Sequence, residues 1–259
     1  MIVESMMMIA AVVAADSGYS SLPTPPKVLL LRIEHCLYLI RRLCQVETYF
    51  GNVNPIGVRA CYDEGKRAAE CLVYSFAREY NLDVRVSRIF NTYGPRMAIN
   101  DGRVVTNMIA QALEVRNGGL CWLRSSKKQQ QQQQLEKNKF VQLVQGKPLT
   151  VYGSGMQTRS FQYISDLISG LEKLMASSYT LPVNIGNPSE ITILDLAHMI
   201  LEITESKAGI TFKNNTADDP NKRKPDISLA KKTLDWEPTV ALRDGLALTV
   251  ADVAHQLNR

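Results

Sequence analysis

Cysteine and histidine are both scarce. Cys36, Cys44, Cys61, Cys71 and Cys121 are odd in number and form no Cys-x-x-C pair, so they read as reduced packing residues, not as a disulfide framework or a thiolate metal site. His35, His198 and His255 lie far apart with no acidic partner at ligand spacing, and no metal site is expected. Long apolar runs are missing too. Met6 to Ala15 ends in small residues like the core of a signal peptide, but Glu4 precedes it and no basic residue does; a run of ten residues is also too short to span a bilayer. Nor is charge concentrated: the net charge is +5, with basic residues scattered except at Lys222-Arg223-Lys224. That balance argues against a nucleic-acid partner and for a small, negatively charged molecule.

With 45% apolar residues the chain can bury a core, and its length suits one α/β unit with a small appended lobe. The organising stretch is Ala60-Cys61-Tyr62-Asp63-Glu64-Gly65-Lys66-Arg67. It opens a helical pattern, and positions four apart share a helix face. A phenol is a poor base at neutrality, but a neighbouring ammonium favours the phenolate, so Tyr62 paired with Lys66 can take a proton from a hydroxyl. The same two residues on a plain surface helix would mean nothing. Ala69, Leu72, Val73, Phe76 and Ala77 follow at three- and four-residue spacing, a stripe for a sheet to receive. The helix is expected to end near Asn81. Asp83 to Phe90 alternates like a strand and Asn91 to Arg96 is rich in turn formers. Ligands of open α/β sheets bind beyond the carboxyl ends of strands, which would put Arg96 and Arg103 where a phosphate could sit.

From Gly51 to Leu113, through Arg-Ala-Cys-Tyr-Asp-Glu-Gly-Lys-Arg, Arg-Ile-Phe-Asn-Thr-Tyr-Gly-Pro-Arg-Met and Asn-Asp-Gly-Arg-Val-Val, the sequence closely resembles the UDP-glucuronate decarboxylases (UDP-xylose synthases) of the extended short-chain dehydrogenase/reductase family. The match resumes at Gln145-Gly146-Lys147-Pro148-Leu149-Thr150-Val151-Tyr152-Gly153-Ser154-Gly155 and runs to the C-terminus. It implies an α/β fold: a truncated doubly wound, Rossmann-like parallel sheet with a small C-terminal substrate-binding lobe. Residues 45–113 would be a partial NAD-binding domain carrying the Tyr-x-x-x-Lys helix, and 145–259 the substrate lobe and closing helices. Residues 1–44 would be an unrelated leader, partly disordered, with a proline-rich linker at Ser17 to Lys27; the apolar Val28 to Leu43 fits a short strand or an amphipathic helix equally well.

Two features depart from the family pattern. Its relatives place a Gly-x-x-Gly-x-x-Gly turn against the cofactor pyrophosphate, followed later by a Ser/Thr-rich segment with a glutamate, and neither is found here. The chain is therefore expected to correspond to the C-terminal two-thirds of such an enzyme. Residues 114–144, with Gly118-Gly119 and the Gln129 to Gln134 tract, read as a low-complexity insertion and a disordered loop. Val105, Met108, Ile109 and Ala112 give the helix before it an apolar face.

In the C-terminal part, Leu149 to Tyr152 and Ser160 to Tyr163 are expected to form a hairpin around Gly153-Ser154-Gly155. Helices with apolar faces are expected at Ile164 to Ala176, from a Thr192 cap through Leu201, and over Leu242 to Val253. Arg159 and Arg223 suit bidentate recognition of carboxylate or phosphate.

The resemblance implies roles for these positions. Tyr62 and Lys66 would be catalytic and contact NAD, with Arg159 as a third catalytic group at the uronate carboxylate. Thr92 and Arg103 would lie on the cofactor side, and Phe76, Asn91, Arg159 and Arg223 on the UDP-sugar side. The implied reaction oxidises UDP-glucuronate at the 4-hydroxyl, releases carbon dioxide and returns hydride to give UDP-xylose. A homodimer is implied, as is residence in cytoplasm or Golgi. Two other readings stay open: a catalytically inactive form acting by association, and another nucleotide-sugar dehydratase or epimerase.

Overall fold

The structure is a computed structural model that describes residues 12–13, 27–33, 45–51, 54–58, 60–99, 102–117, 148–214 and 224–257. The glutamine tract and Arg223 lie outside the described residues. In chain order the elements are β1 (Val12–Val13), β2 (Lys27–Ile33), α1 (Ala60–Tyr80), β3 (Asp83–Ile89), β4 (Thr92–Tyr93), α2 (Val104–Asn117), β5 (Leu149–Tyr152), β6 (Thr158–Ser160), β7 (Gln162–Tyr163), α3 (Ile164–Ala176), β8 (Val183–Ile185), β9 (Glu190–Thr192), α4 (Ile193–Thr204), β10 (Ile210–Lys213), α5 (Ser228–Leu234) and α6 (Leu242–Leu257). They fall into two compact units: Met1–Thr92 with Thr158–Glu190 and Ala217–Val240, and Tyr93–Gln157 with Ile191–Thr216 and Ala241–Arg259.

The first unit is built on a four-stranded sheet of order β1-β2-β3-β8. β3 takes β2 as a parallel neighbour in register Lys27↔Asp83 through Ile33↔Ile89, and β8 on its other side in register Ser87↔Val183. The Lys27–Ile33 segment of the leader is thus a sheet strand. Its apolar run allowed strand or helix by period, and hydrogen-bonding to β3 decides for the strand. Beneath the sheet, Ile89, Leu167, Leu174, Val183, Ile185, Ile227, Leu234 and Trp236 form a buried cluster. Fully burying side chains of this kind contributes roughly 1.5–3 kcal/mol each. At Gly170 a Cβ would come within 2.8 Å of Ile185 and 3.0 Å of the Trp236 ring, so the absence of a side chain lets α3 close onto β8.

The second unit packs α2, α4 and α6 with the parallel pair β5–β10. Val105, Met108, Ile109 and Ala112 of α2 are all buried, as are Ile193, Leu196, Ala197 and Ile200 of α4 and Leu246, Val250 and Val253 of α6. Thr192 caps α4, its hydroxyl accepting from the Asp195 N–H at 3.0 Å.

Two expectations are corrected. Gly153 and Gly155 do turn the chain, with φ of 67° and 76°, but no hairpin forms, because β5 pairs with β10 and β7 with β4. Turn chemistry is local, whereas strand pairing is settled by distant partners. The expected stripe of α1 does not all reach the sheet either: Leu72 is 49% and Phe76 52% exposed, and the buried residues of α1 are Asp63 and Lys66. The inward face runs through Asp63, Lys66 and Glu70, anchored where Glu70 accepts from Arg88 of β3 at 2.9 and 3.2 Å.

Candidate functional site

The Asn54-Pro55-Ile56-Gly57 turn sets where α1 begins. The Asn54 side chain accepts from the Ile56 N–H at 3.2 Å, and the Gly57 carbonyl accepts from Ala60 N at 2.9 Å. Tyr62 therefore falls in the first helical turn and Lys66 one turn on. The two side chains meet: the Lys66 ammonium lies 5.4 Å from the centroid of the Tyr62 ring, within the range of a cation–π contact. Lys66 is 5% exposed and Asp63, on the same face, 2%. Asp63 Oδ1 accepts no hydrogen bond, an arrangement that costs about 1–3 kcal/mol or more for a buried acceptor.

α1 then leads into β3 through Asn81, whose φ of 50° is a left-handed helix end that asparagine tolerates. Helix and strand run back along each other, so Glu70 is level with the carboxyl end of β3 and Tyr62, eight residues nearer the start of α1, lies about 12 Å further along the helix. The buried Arg88–Glu70 pair, at 2.9 Å, fixes that alignment, and Arg88 also donates to the Glu47 carbonyl at 2.7 Å.

Beyond β3 lie Asn91 and Thr92. The Asn91 side chain donates to the Ser160 carbonyl at 3.1 Å, and the Asn91 carbonyl accepts from Gln162 N at 2.8 Å. The Thr92 hydroxyl donates to the Phe90 carbonyl at 2.9 Å and accepts from the Gln162 side chain at 3.0 Å. Arg159, on β6 next to Ser160, is 7% exposed, and its guanidinium donates to the Thr158 carbonyl at 2.8 Å. Nearby, the Thr158 hydroxyl donates to Glu190 at 2.7 Å, and Glu190 lies 4.0 Å from the Lys224 ammonium. Asn91, Thr92 and Arg159 are thereby drawn together around Ser160 and Gln162.

Of the other sequence-predicted residues, Phe76 and Arg103 are among the described ones. Phe76 lies fourteen residues beyond Tyr62 on α1, about 21 Å along the helix, and stacks on Tyr80 with ring centroids 5.7 Å apart; the structure does not bring it to Tyr62. Arg103 is exposed just before α2, in the second unit. Arg223 precedes Lys224, whose carbonyl accepts from Gln45 N at 2.9 Å.

Several polar residues here had not been singled out by sequence. Gln162 and Asp63 gave no signal, one an amide in an alternating strand and the other an acid in a first helical turn, where acids are ordinary. Glu47 is a third. Burial pushes its carboxyl above the ordinary carboxylate value; the Asn184 N–H, which it accepts at 3.0 Å, pulls it back, as does Arg88, while Asp226 pushes it up.

Residues 47–186 match the NAD dependent epimerase/dehydratase family. The chain is 52% identical over 208 residues to UDP-glucuronic acid decarboxylase 4 of Arabidopsis thaliana, covering 80% of this chain and 40% of that protein. It is 47% identical over 218 residues to UDP-glucuronic acid decarboxylase 1 of Xenopus tropicalis, covering 83% and 44%. The chain thus spans between two fifths and just over half of the length of the curated relatives it matches. Among solved structures, UDP-glucose 4-epimerase of Thermotoga maritima with UDP-glucose superposes with a TM-score of 0.70 at 24% identity, over 89% of this chain and 64% of that one. UDP-glucuronic acid 4-epimerase of Bacillus cereus, in complex with UDP-glucuronic acid and NAD, gives 0.67 at 24%, over 89% and 62%. These likenesses establish the fold.

Proposed function

Since the chain belongs to the NAD dependent epimerase/dehydratase family, we propose that its chemistry is the NAD-dependent decarboxylation of UDP-glucuronate to UDP-xylose through a 4-keto intermediate. The observation that carries this reading is the meeting of the Tyr62 ring and the Lys66 ammonium at 5.4 Å on the buried side of α1's first turns, in a chain 52% identical to a UDP-glucuronic acid decarboxylase.

NAD fits the residues present at its nicotinamide end, where a buried ammonium beside a phenol offers donors to ribose hydroxyls. The 259 residues hold no Gly-x-x-Gly-x-x-Gly turn for the pyrophosphate. When bound, NAD+ supplies the hydride acceptor. Tyr62 takes the proton of the sugar 4-hydroxyl, and Lys66 favours the phenolate that does so. Oxidation at that carbon leaves a ketone β to the uronate carboxylate. Carbon dioxide can then depart as its bonding electrons pass into the carbonyl. Arg159 holds the carboxylate and stabilises the oxyanion that follows. The enolate takes a proton from solvent at the carbon that lost carbon dioxide, and Tyr62 then returns its proton to the 4-oxygen as the hydride taken up earlier goes back to that carbon. On this reading Thr92 and Arg103 serve the cofactor, and Asn91 and Arg223 the nucleotide sugar. Phe76 is read with them on the nucleotide-sugar side, and a homodimer is part of the same reading.

A second reading is a chain that associates with relatives but does not turn over. Incubating the whole chain with UDP-glucuronate and NAD+ separates the two. Carbon dioxide with UDP-xylose supports the decarboxylase, and UDP-glucuronate binding without turnover supports association alone. A 4-epimer or a 4-keto product that keeps its carboxylate points to an epimerase or dehydratase.

A further inference from the structure

Gln162 is fully buried, yet it carries a polar head among three acceptors. Its Nε2 lies 3.0 Å from Thr92 Oγ1, 3.0 Å from the Ile185 carbonyl and 3.3 Å from the Phe90 carbonyl. Its backbone N–H also donates to Asn91 at 2.8 Å. One residue thus grips three consecutive positions beyond β3 and the last residue of β8. An amide nitrogen has two hydrogens. Both are spent inside this cluster, while Oε1 accepts nothing, so the amide is oriented wholly by what it gives.

We infer that Gln162 is a positioning residue that locks the Thr92 hydroxyl with its proton turned away from any ligand, so that Thr92 can only accept a hydrogen bond from the molecule it binds. The Thr92 proton is committed to the Phe90 carbonyl at 2.9 Å, and one of its two lone pairs receives the Gln162 N–H. The lone pair that remains fits a donor, such as a carboxamide N–H or a sugar hydroxyl, and not a phosphate oxygen. This deepens the cofactor-side reading of Thr92 and rests on it for the ligand's identity; the locking itself does not depend on that reading.

Three-bond couplings to the Thr92 methyl carbon, measured by NMR on the whole chain, report its χ1 rotamer without any ligand. A single rotamer is expected in the wild type and an averaged one in Gln162→Met, which keeps the length but has no N–H. Averaging in the wild type overturns the inference even if Gln162→Met fails to fold, and an unchanged rotamer in a folded Gln162→Met overturns it as well. For the ligand, Thr92→Val should weaken NAD+ binding about five- to tenfold by calorimetry. Adding Gln162→Met to Thr92→Val should weaken it no further, since both remove one interaction. NAD+ affinity unchanged by Thr92→Val would remove Thr92 from the cofactor side and leave the lock to be judged by the couplings alone.

Discussion

A lysine that is 5% exposed retains its charge only where something nearby compensates it, and the face of the Tyr62 ring at 5.4 Å does part of that. Spacing alone foretold this meeting, because residues four apart on a helix share a face. Spacing could not foretell that Asp63, Lys66 and Glu70 would form the buried face while Leu72 and Phe76 stay in solvent; the Glu70–Arg88 pair decides that, and its partner lies on another element. Asp252 offers a test at this scale. The Arg96 backbone N–H, which its carboxylate accepts at 2.7 Å, holds its pKa below the ordinary 3.8, helped by Gln256. A lowered folded-state pKa means the contribution is complete above the ordinary value and is lost as pH falls through the lower, folded one. Asp252→Asn should therefore lower Tm near neutral pH and flatten its acid limb, so that scans of variant and wild type converge at the acid end. Glu47 has the opposite sign: with its pKa raised above 4.5, it lowers stability as pH climbs from that value through its folded-state one. Glu47→Gln should accordingly weaken the decline of Tm over that window.

At the scale of elements, helices were legible and strand partners were not. The apolar faces of α2, α4 and α6 follow from 3.6-residue periodicity, and the Thr192 cap from its residue type. α4 is capped by a pair of contacts, Thr192 accepting from Asp195 N at 3.0 Å and donating to the Asp195 carboxylate at 2.6 Å. Thr192→Ala should cost about 1 kcal/mol in urea unfolding, and Thr192→Ser should restore most of it. The strand at Lys27–Ile33 was left undecided because a short apolar run satisfies either period; only its register against β3 resolves it. The expected hairpin fails for a related reason. Gly153 and Gly155 specify a turn and say nothing of which edges the flanking strands will find.

At the scale of the whole molecule, family membership was written in long ordered motifs, while buried polar groups such as Gln162 left no trace in the residue pattern. The most direct test concerns Tyr62. Carbon dioxide release from UDP-glucuronate should be followed at saturating NAD+ with the whole chain and with Tyr62→Phe, matched for Tm. The wild type should release it, and the variant should be slower by a factor of about 100 or more. Equal rates in the two, or no release by a wild type that demonstrably binds both molecules, would contradict the assignment of Tyr62 as the group that moves the proton.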